Sequence, residues 1–171
     1  MKKFFILAAL CCLITLTSCQ KSGMNLFRGE YSYKISGTVI LAEQQDGISI
    51  LEPDEFETSL SNEIGQMEIT TLDKDEDLVM VTMNTMNGEV IVANASVKDD
   101  KIVFDDFTRR LKIIDTAHLI NMECEVKVKA KGKMFDDNTM IVNMTYEGKQ
   151  KYLGKTFKIS GDNIIMAAQR N

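Results

Sequence analysis

Between residues 122 and 134 the chain alternates without a break, with Met122, Cys124, Val126, Val128, Ala130, Gly132 and Met134 set against Glu123, Glu125, Lys127, Lys129, Lys131 and Lys133. Apolar residues two apart share one face of a β-strand, whereas a helix would scatter them around its circumference. The segment therefore has one face for a core and one for water. At about 3.3 Å per residue it spans roughly 43 Å, well past the usual strand of five or six residues. Strands of that length bend, and Gly132 supplies a place to do so.

The same period runs through the rest of the chain. Tyr31, Tyr33, Ile35, Gly37, Val39 and Leu41 fall on one side of a strand, with Ser32, Lys34, Ser36 and Thr38 on the other. Residues 78–83 and 89–97 flank Met86-Asn87-Gly88, and Asn-Gly between apolar runs is the strongest short-range hairpin signal. Lys98-Asp99-Asp100-Lys101, Asp136-Asp137-Asn138 and Ser160-Gly161-Asp162-Asn163 read as further tight turns. They join short strands near 102–104, 139–147, 156–160 and 164–169. Residues 52–62, which hold Pro53, and 115–120 read as loops or short helices. Nowhere after the N-terminal region do ten residues carry a 3.6-residue apolar period. About ten consecutive strands with tight connections predict an all-β fold, an antiparallel meander closed into a barrel or, alternatively, folded as a sandwich. Closure has the advantage of removing exposed edges from so long a sheet.

The N-terminus carries a different signal. Lys2 and Lys3 precede an unbroken apolar run over residues 4–14, too short and wrongly flanked for a spanning helix, so residues 1–18 read as a secretory signal peptide. Leu16-Thr17-Ser18-Cys19 resembles the lipobox of bacterial lipoproteins. That resemblance implies a diacylated Cys19 thiol, a cut just before Cys19 and acylation of the new amino group. Several acyl chains anchor a protein far more firmly than one. Residues 19–28 then form the lipidated cysteine and a flexible tether reaching roughly 25 Å, and residues 29–171 form a single domain.

With Cys11 and Cys12 lost in the signal and Cys19 lipidated, Cys124 is left as the one free thiol and no disulfide is possible within the domain. Its stability must come from one hydrophobic core, for which a mature chain of about 150 residues is long enough. Loss of Lys2 and Lys3 moves the formal charge from −5 to −7, which disfavours nucleic-acid binding. Charge is uneven, with acids gathered over residues 43–77 and eight lysines over residues 127–158.

The lipobox at Cys19, the opening strand GEYSYKISGTVIL from Gly29, the segment VMVTMNTMNGEVIVANASV from Val79 and the closing segment KTFKISGDNIIMAAQRN from Lys155 together resemble the small lipocalin-like, or calycin-like, lipoproteins of gut Bacteroidetes. The resemblance implies a lipocalin-like β-barrel in the cell envelope. Lipocalins proper carry Gly-x-Trp near the first strand and a helix after the barrel. This chain has no Trp and ends on a strand pattern, so no binding residue carries over.

Few constellations point to chemistry. Asp73-Lys74-Asp75-Glu76-Asp77 begins like a calcium loop, but Leu78 stands where the turn glycine belongs and Asn84 where the bidentate Glu should be. His118, the single histidine, has no nucleophile signature beside it, and Cys124 is in phase with Val126 and Val128 as a core residue. The expectation is a non-enzymatic domain with no metal and no cofactor beyond the covalent lipid. Asp115-Thr116-Ala117 resembles the short motif at which Bacteroidetes O-glycosylate exported proteins, which makes Thr116 a candidate acceptor. Gln20 after the lipidated cysteine, and the lack in Gln20-Lys21-Ser22-Gly23 of the acidic export tag of Bacteroidetes lipoproteins, imply through that resemblance an outer-membrane anchor with the domain facing the periplasm, surface exposure being the alternative.

Methionine adapts to irregular shapes and is overused at permissive apolar binding surfaces. Tyr31, Tyr33, Met80, Met122, Met134, Met140, Met144, Tyr146 and Met166 are accordingly the candidate lining of a small apolar ligand's site inside the barrel. If the core is solid, the domain is instead an interaction module that meets an envelope protein through its lysine face or a sheet edge.

Overall fold

A computed structural model describes residues 23–44, 54–72 and 77–171. The expected signal peptide, the expected lipidation site Cys19 and most of the calcium-like stretch lie outside the described residues. A single helical turn, α1 (Gly23–Phe27), leads into β1 (Gly29–Ser36), β2 (Thr38–Gln44), β3 (Glu55–Ser59), β4 (Glu63–Thr71), β5 (Leu78–Thr85) and β6 (Val90–Lys98). The chain continues through β7 (Lys101–Phe104), β8 (Phe107–Asp115), β9 (Ile120–Met134), β10 (Thr139–Tyr152) and β11 (Lys155–Arg170).

Every strand pairing among the described residues is antiparallel. The ring β1-β4-β5-β6-β7-β9-β10-β11 closes when β11 returns to β1, giving an eight-stranded barrel. The barrel, not the sandwich, is the fold. The long strands continue above this ring. β9 bonds β7 through Lys131–Lys133 and then β8 through residues 120–128, while β11 bonds β1 through residues 165–170 and β2 through residues 156–160. In effect β1 with β2, β3 with β4 and β7 with β8 are each one long strand broken in the middle.

The break between β1 and β2 falls at Gly37, whose φ is +151°. A Cβ there would lie 2.7 Å from the Asn163 carbonyl oxygen, so only glycine fits. Asn163 belongs to a bulge. Between Met144↔Ile164 and Tyr146↔Gly161 the β11 strand carries one residue more than β10, which leaves Asp162 and Asn163 both exposed. This corrects the expected turn at residues 160–163: β10 pairs on both sides of it, so β11 stays one strand and absorbs the turn-like residues as a bulge.

Three other expectations change. Residues 55–59, read as loop or helix, form β3, because β2 offers an edge that pairs Thr38↔Ser59 through Ala42↔Glu55. Residues 63–71 and 107–115, for which the sequence pattern predicts no element, form β4 and β8. The end of the expected flexible tether is the helical turn α1, where Phe27 is fully buried and its carbonyl accepts the Tyr31 hydroxyl at 2.7 Å. The Arg170 guanidinium closes that corner by donating to Leu26 O and to the Tyr31 oxygen.

The inward faces pack into one apolar core from Phe27 to Ala168. β9 follows its sequence pattern residue by residue, buried and exposed in turn over its whole length. Cys124 lies in this core with its thiol toward the Leu111 carbonyl, and burial pushes its pKa up to about 11. A thiol held that high presents almost no thiolate near neutral pH. In a domain lacking residues 1–19, Cys124 should stay unlabelled by a thiol-exchange dye at mildly alkaline pH and react fully in concentrated guanidinium. Rapid labelling of the folded domain would place Cys124 outside the core.

Candidate functional site

The wall of the barrel is not equally tall all round. Asn87-Gly88 turns β5 into β6 early: Gly88 takes φ +83°, its N–H donates to the Thr85 carbonyl at 3.0 Å, and the Glu89 N–H donates to Thr85 Oγ1 at 3.0 Å. The hairpin therefore ends level with the β3–β4 and β7–β8 breaks. Met86 N–H bonds the Ile64 carbonyl on one side, and the Glu89 carboxylate accepts the Arg110 N–H at 2.9 Å on the other. Above that level β3 pairs only with β2, and β8 only with β9. A lateral cleft of about 850 Å³ opens at that level, bordered by residues 60–64 and 85–89 and by residues 109–112 of β8.

Its floor is polar. Arg109 is buried on the inward face of β8 and pairs with Glu63, to whose Oε2 its Nη2–H donates. Arg109 Nη1–H donates to the Tyr146 hydroxyl oxygen at 3.2 Å, and the guanidinium lies 5.9 Å from the centre of the Tyr146 ring. Burial works against the Arg109 charge, but Tyr146 and Glu63 more than offset it and raise its pKa. Burial is also the main reason that Tyr146 and Tyr33 ionise well above the ordinary phenol range, with Glu63 adding to the shift at both, so the two hydroxyls remain neutral.

Tyr33 reaches this group because β1 sets it opposite Gly65 of β4. A Cβ on Gly65 would lie 2.5 Å from the Tyr33 ring and hydroxyl and 2.4 Å from the Asn84 carbonyl oxygen, so the ring occupies the place of the missing side chain. The Tyr33 hydroxyl and Glu63 Oε1 are buried without a hydrogen-bond partner among the described residues. Buried polar atoms in native proteins are nearly all satisfied, so this pair marks where a water or a bound group completes the set. Apolar contact comes from Ile35, Leu60 and Leu111 along the walls.

At the upper rim Phe56 stacks on His118 with ring centres 4.0 Å apart. Asp115 accepts the His118 backbone N–H at 3.0 Å and lies 3.1 Å from its Nδ1. These bonds, the backbone one first, hold the Asp115 carboxyl below the usual range. His118 is thus a rim residue, and among the described residues no group of three His, Cys, Asp or Glu is placed to hold a metal.

Of the nine candidate lining residues only Tyr146 lines the cleft, with Tyr33 beside it. Tyr31 is at the opposite end, bonded to α1. Met122, Met134, Met140, Met144 and Met166 are buried in the continuous core and line no part of the cleft. Met80 is a correction: Val79, Val81 and Met83 fill the inward face of β5, and Met80 lies half-buried on the other. Thr116 is exposed in the β8–β9 turn, sterically open to modification. Arg109 and Glu63 were not anticipated. The available signal was phase, because Arg109 is in step with Leu111 and Ile113 and so had to point inward with a partner.

No protein-family model matches the chain, and no curated protein does. Among solved structures it is similar to a redesigned β-barrel, b11L5F_LGL, at 12% identity over 90% of this chain and 99% of that one, with a TM-score of 0.42. It is also similar to EF1p2_mFAP2b bound to DFHBI (10% identity, 89% and 99% covered, TM-score 0.43). A third is Ail, the attachment invasion locus protein of Yersinia pestis (10% identity, 85% and 100% covered, TM-score 0.32). Likeness at this level carries nothing about ligand or partner.

Proposed function

We propose that the chain is a lipid-anchored protein of the bacterial cell envelope whose barrel is a non-enzymatic interaction module, and that the lateral cleft is its contact face. The observation that carries this reading is the contrast between a filled interior and an open side. Five of the six candidate methionines are packed in the core, while the cleft beside Arg109, Glu63 and Tyr146 combines volume with the unsatisfied Glu63 Oε1. The outer wall supports anchoring by lipid over insertion as a spanning barrel. Its β9 residues Glu123, Glu125, Lys127, Lys129, Lys131 and Lys133 are all exposed, and a wall facing hydrocarbon is apolar.

A second reading keeps the cleft and changes its occupant to a small ligand. A volume of about 850 Å³ is within the range of small-molecule sites, and the free Glu63 Oε1 suits a ligand hydroxyl or amide better than a purely apolar molecule.

Two experiments test the proposal. Cys19→Ser should move the protein from the detergent-extracted membrane fraction to the soluble one and remove its acyl mass; an unchanged membrane fraction overturns the anchor. In cells, a photo-crosslinking amino acid at position 87, on the cleft rim, should give a discrete protein adduct, while the same group at position 129 on the lysine face should not. An adduct only at 129 moves the contact face to the outer wall. No adduct at either position, together with a small molecule retained in native mass spectrometry, favours the second reading.

A further inference from the structure

Resting on Cys19 as the lipid anchor, we infer that the α1 end of the barrel is a bilayer-contact surface, with the Phe135 side chain entering the boundary between headgroups and acyl chains beside the lipid.

Covalent geometry puts the anchor at one end of the barrel. Cys19 precedes Gly23 by four residues, which span at most about 14 Å. α1 itself is seated at the foot of the barrel: a Cβ on Gly23 would stand 3.2 Å from the Asp99 backbone nitrogen, Phe27 is fully buried, and Arg170 Nη2–H donates to the Leu26 carbonyl. The turn between β9 and β10 lies at the same end. The Met134 N–H donates to the Asp100 carbonyl at 2.9 Å and the Arg170 N–H to the Asn138 carbonyl at 2.7 Å, so this turn is bonded on both sides to the parts that seat α1.

Phe135 stands on that turn and is 81% exposed. The alternation of β9 ends on the buried Met134, and the core takes nothing from the ring that follows. The backbone beneath it is nonetheless fixed: the Phe135 N–H donates to the Thr139 carbonyl at 2.8 Å, and the Asp136 carboxylate accepts the N–H groups of Asn138 at 2.8 Å and Thr139 at 2.7 Å. An apolar side chain presented in this way, next to an acyl anchor, gains by burial among lipid. Leu72 and Leu78, where β4 gives way to β5, are partly exposed at the same end and add to the surface. Charge then selects the lipid. Asp99, Asp100, Asp136 and Asp137 outnumber Lys98 and Lys101 in the two turns, and Lys133 is paired with Asp100 at 3.1 Å. With no basic cluster to draw it to anionic headgroups, this end suits a zwitterionic bilayer and holds it by apolar contact.

Other exposed apolar side chains lie farther off. Leu119 and Leu153 tip the turns at the opposite end, about 35 Å away along the barrel axis once the length of β9 and the usual strand tilt are combined. Val90 and Val92 are on the outer wall of β6. A barrel standing on its α1 end keeps both groups out of the bilayer and lifts the cleft beside Asn87-Gly88 roughly 20 Å above it, open to a partner.

The chain contains no tryptophan, so one introduced at a single exposed position reports its own surroundings. Phe135→Trp, Leu153→Trp and Val92→Trp are placed separately in the mature lipoprotein and reconstituted into vesicles of phosphatidylcholine and phosphatidylethanolamine, with and without acyl-brominated phosphatidylcholine. Quenching by the brominated lipid should be at least about twofold stronger at position 135 than at 153 or 92, and 1 M salt should leave it unchanged. Equal quenching at 135 and 153 overturns the inference, as does stronger quenching at 92, which would lay the barrel on its β6 wall. Absence of quenching at 135 in a protein that floats with the vesicles keeps the lipid anchor and overturns the contact surface. A protein that carries no acyl mass and stays with the soluble fraction overturns the anchor itself, and the contact surface falls with it.

Discussion

Val126→Asp should unfold the domain or lower its melting temperature by about 10 °C or more, whereas Lys127→Asp, one residue on, should shift it by no more than about 4 °C. Val126 has no exposed surface, and its neighbours on the inward face are apolar. An aspartate there carries an unpaired charge into the core, a change that costs at least about 4 kcal/mol even after partial relaxation. Lys127 lies on the wet face, with its ammonium 2.7 Å from Asp106 and about half of its side chain exposed. Reversing that charge loses a surface pair and adds a like-charge contact, both screened by water. Thermal melts by far-ultraviolet circular dichroism measure both. Equal shifts would mean that the two faces of β9 are misassigned.

The second large effect concerns the cleft floor. Arg109→Met should cost about 3 kcal/mol, because it leaves the Glu63 carboxylate without its cation and the Tyr146 hydroxyl without its donor in a largely dehydrated place. The double variant Arg109→Met/Glu63→Met should recover most of that loss, since a removed pair is replaced by apolar volume. Urea midpoints of the parent, the single and the double variant decide it; a single variant as stable as the parent would mean that the Arg109–Glu63 pair adds nothing.

How far the sequence leads depends on how much a residue's neighbours in the chain say about its neighbours in space. In β9 strict alternation and an unbroken ladder to β10 leave no conflict between local pattern and global fold, and each residue falls where the pattern puts it. β3 has the sequence EFETS, in which only Thr58 is buried. It is a strand because β2 presents an edge to it, and that is a tertiary cause with no trace in five polar-rich residues. Ser160-Gly161-Asp162-Asn163 has turn composition, yet the pairing of β10 on both flanks outweighs it. The site is legible in the same partial way. The tyrosines announced themselves by type, but the cleft exists because β5 and β6 are short relative to β9, β10 and β11, a comparison among distant segments. Arg109 and Glu63, 46 positions apart, meet only once the barrel has closed.

In the closed ring, with β3–β4 and β7–β8 taken as bent strands, every strand neighbours the next in sequence except where β11 meets β1. Hairpin by hairpin, assembly from β3 onward asks only for short loop closures, and a single contact spans the whole domain. That contact brings the Asn171 N–H onto the Glu30 carbonyl at 3.0 Å and sets Tyr31 opposite Arg170. The two ends of the domain are thus lateral neighbours in one sheet, and the order in which the strands are written along the gene is not what holds the cylinder together. A short link between the ends would turn the slowest closure into a local one, and the chain could then begin at the exposed Asn87-Gly88 turn without losing a single rung of the ladder.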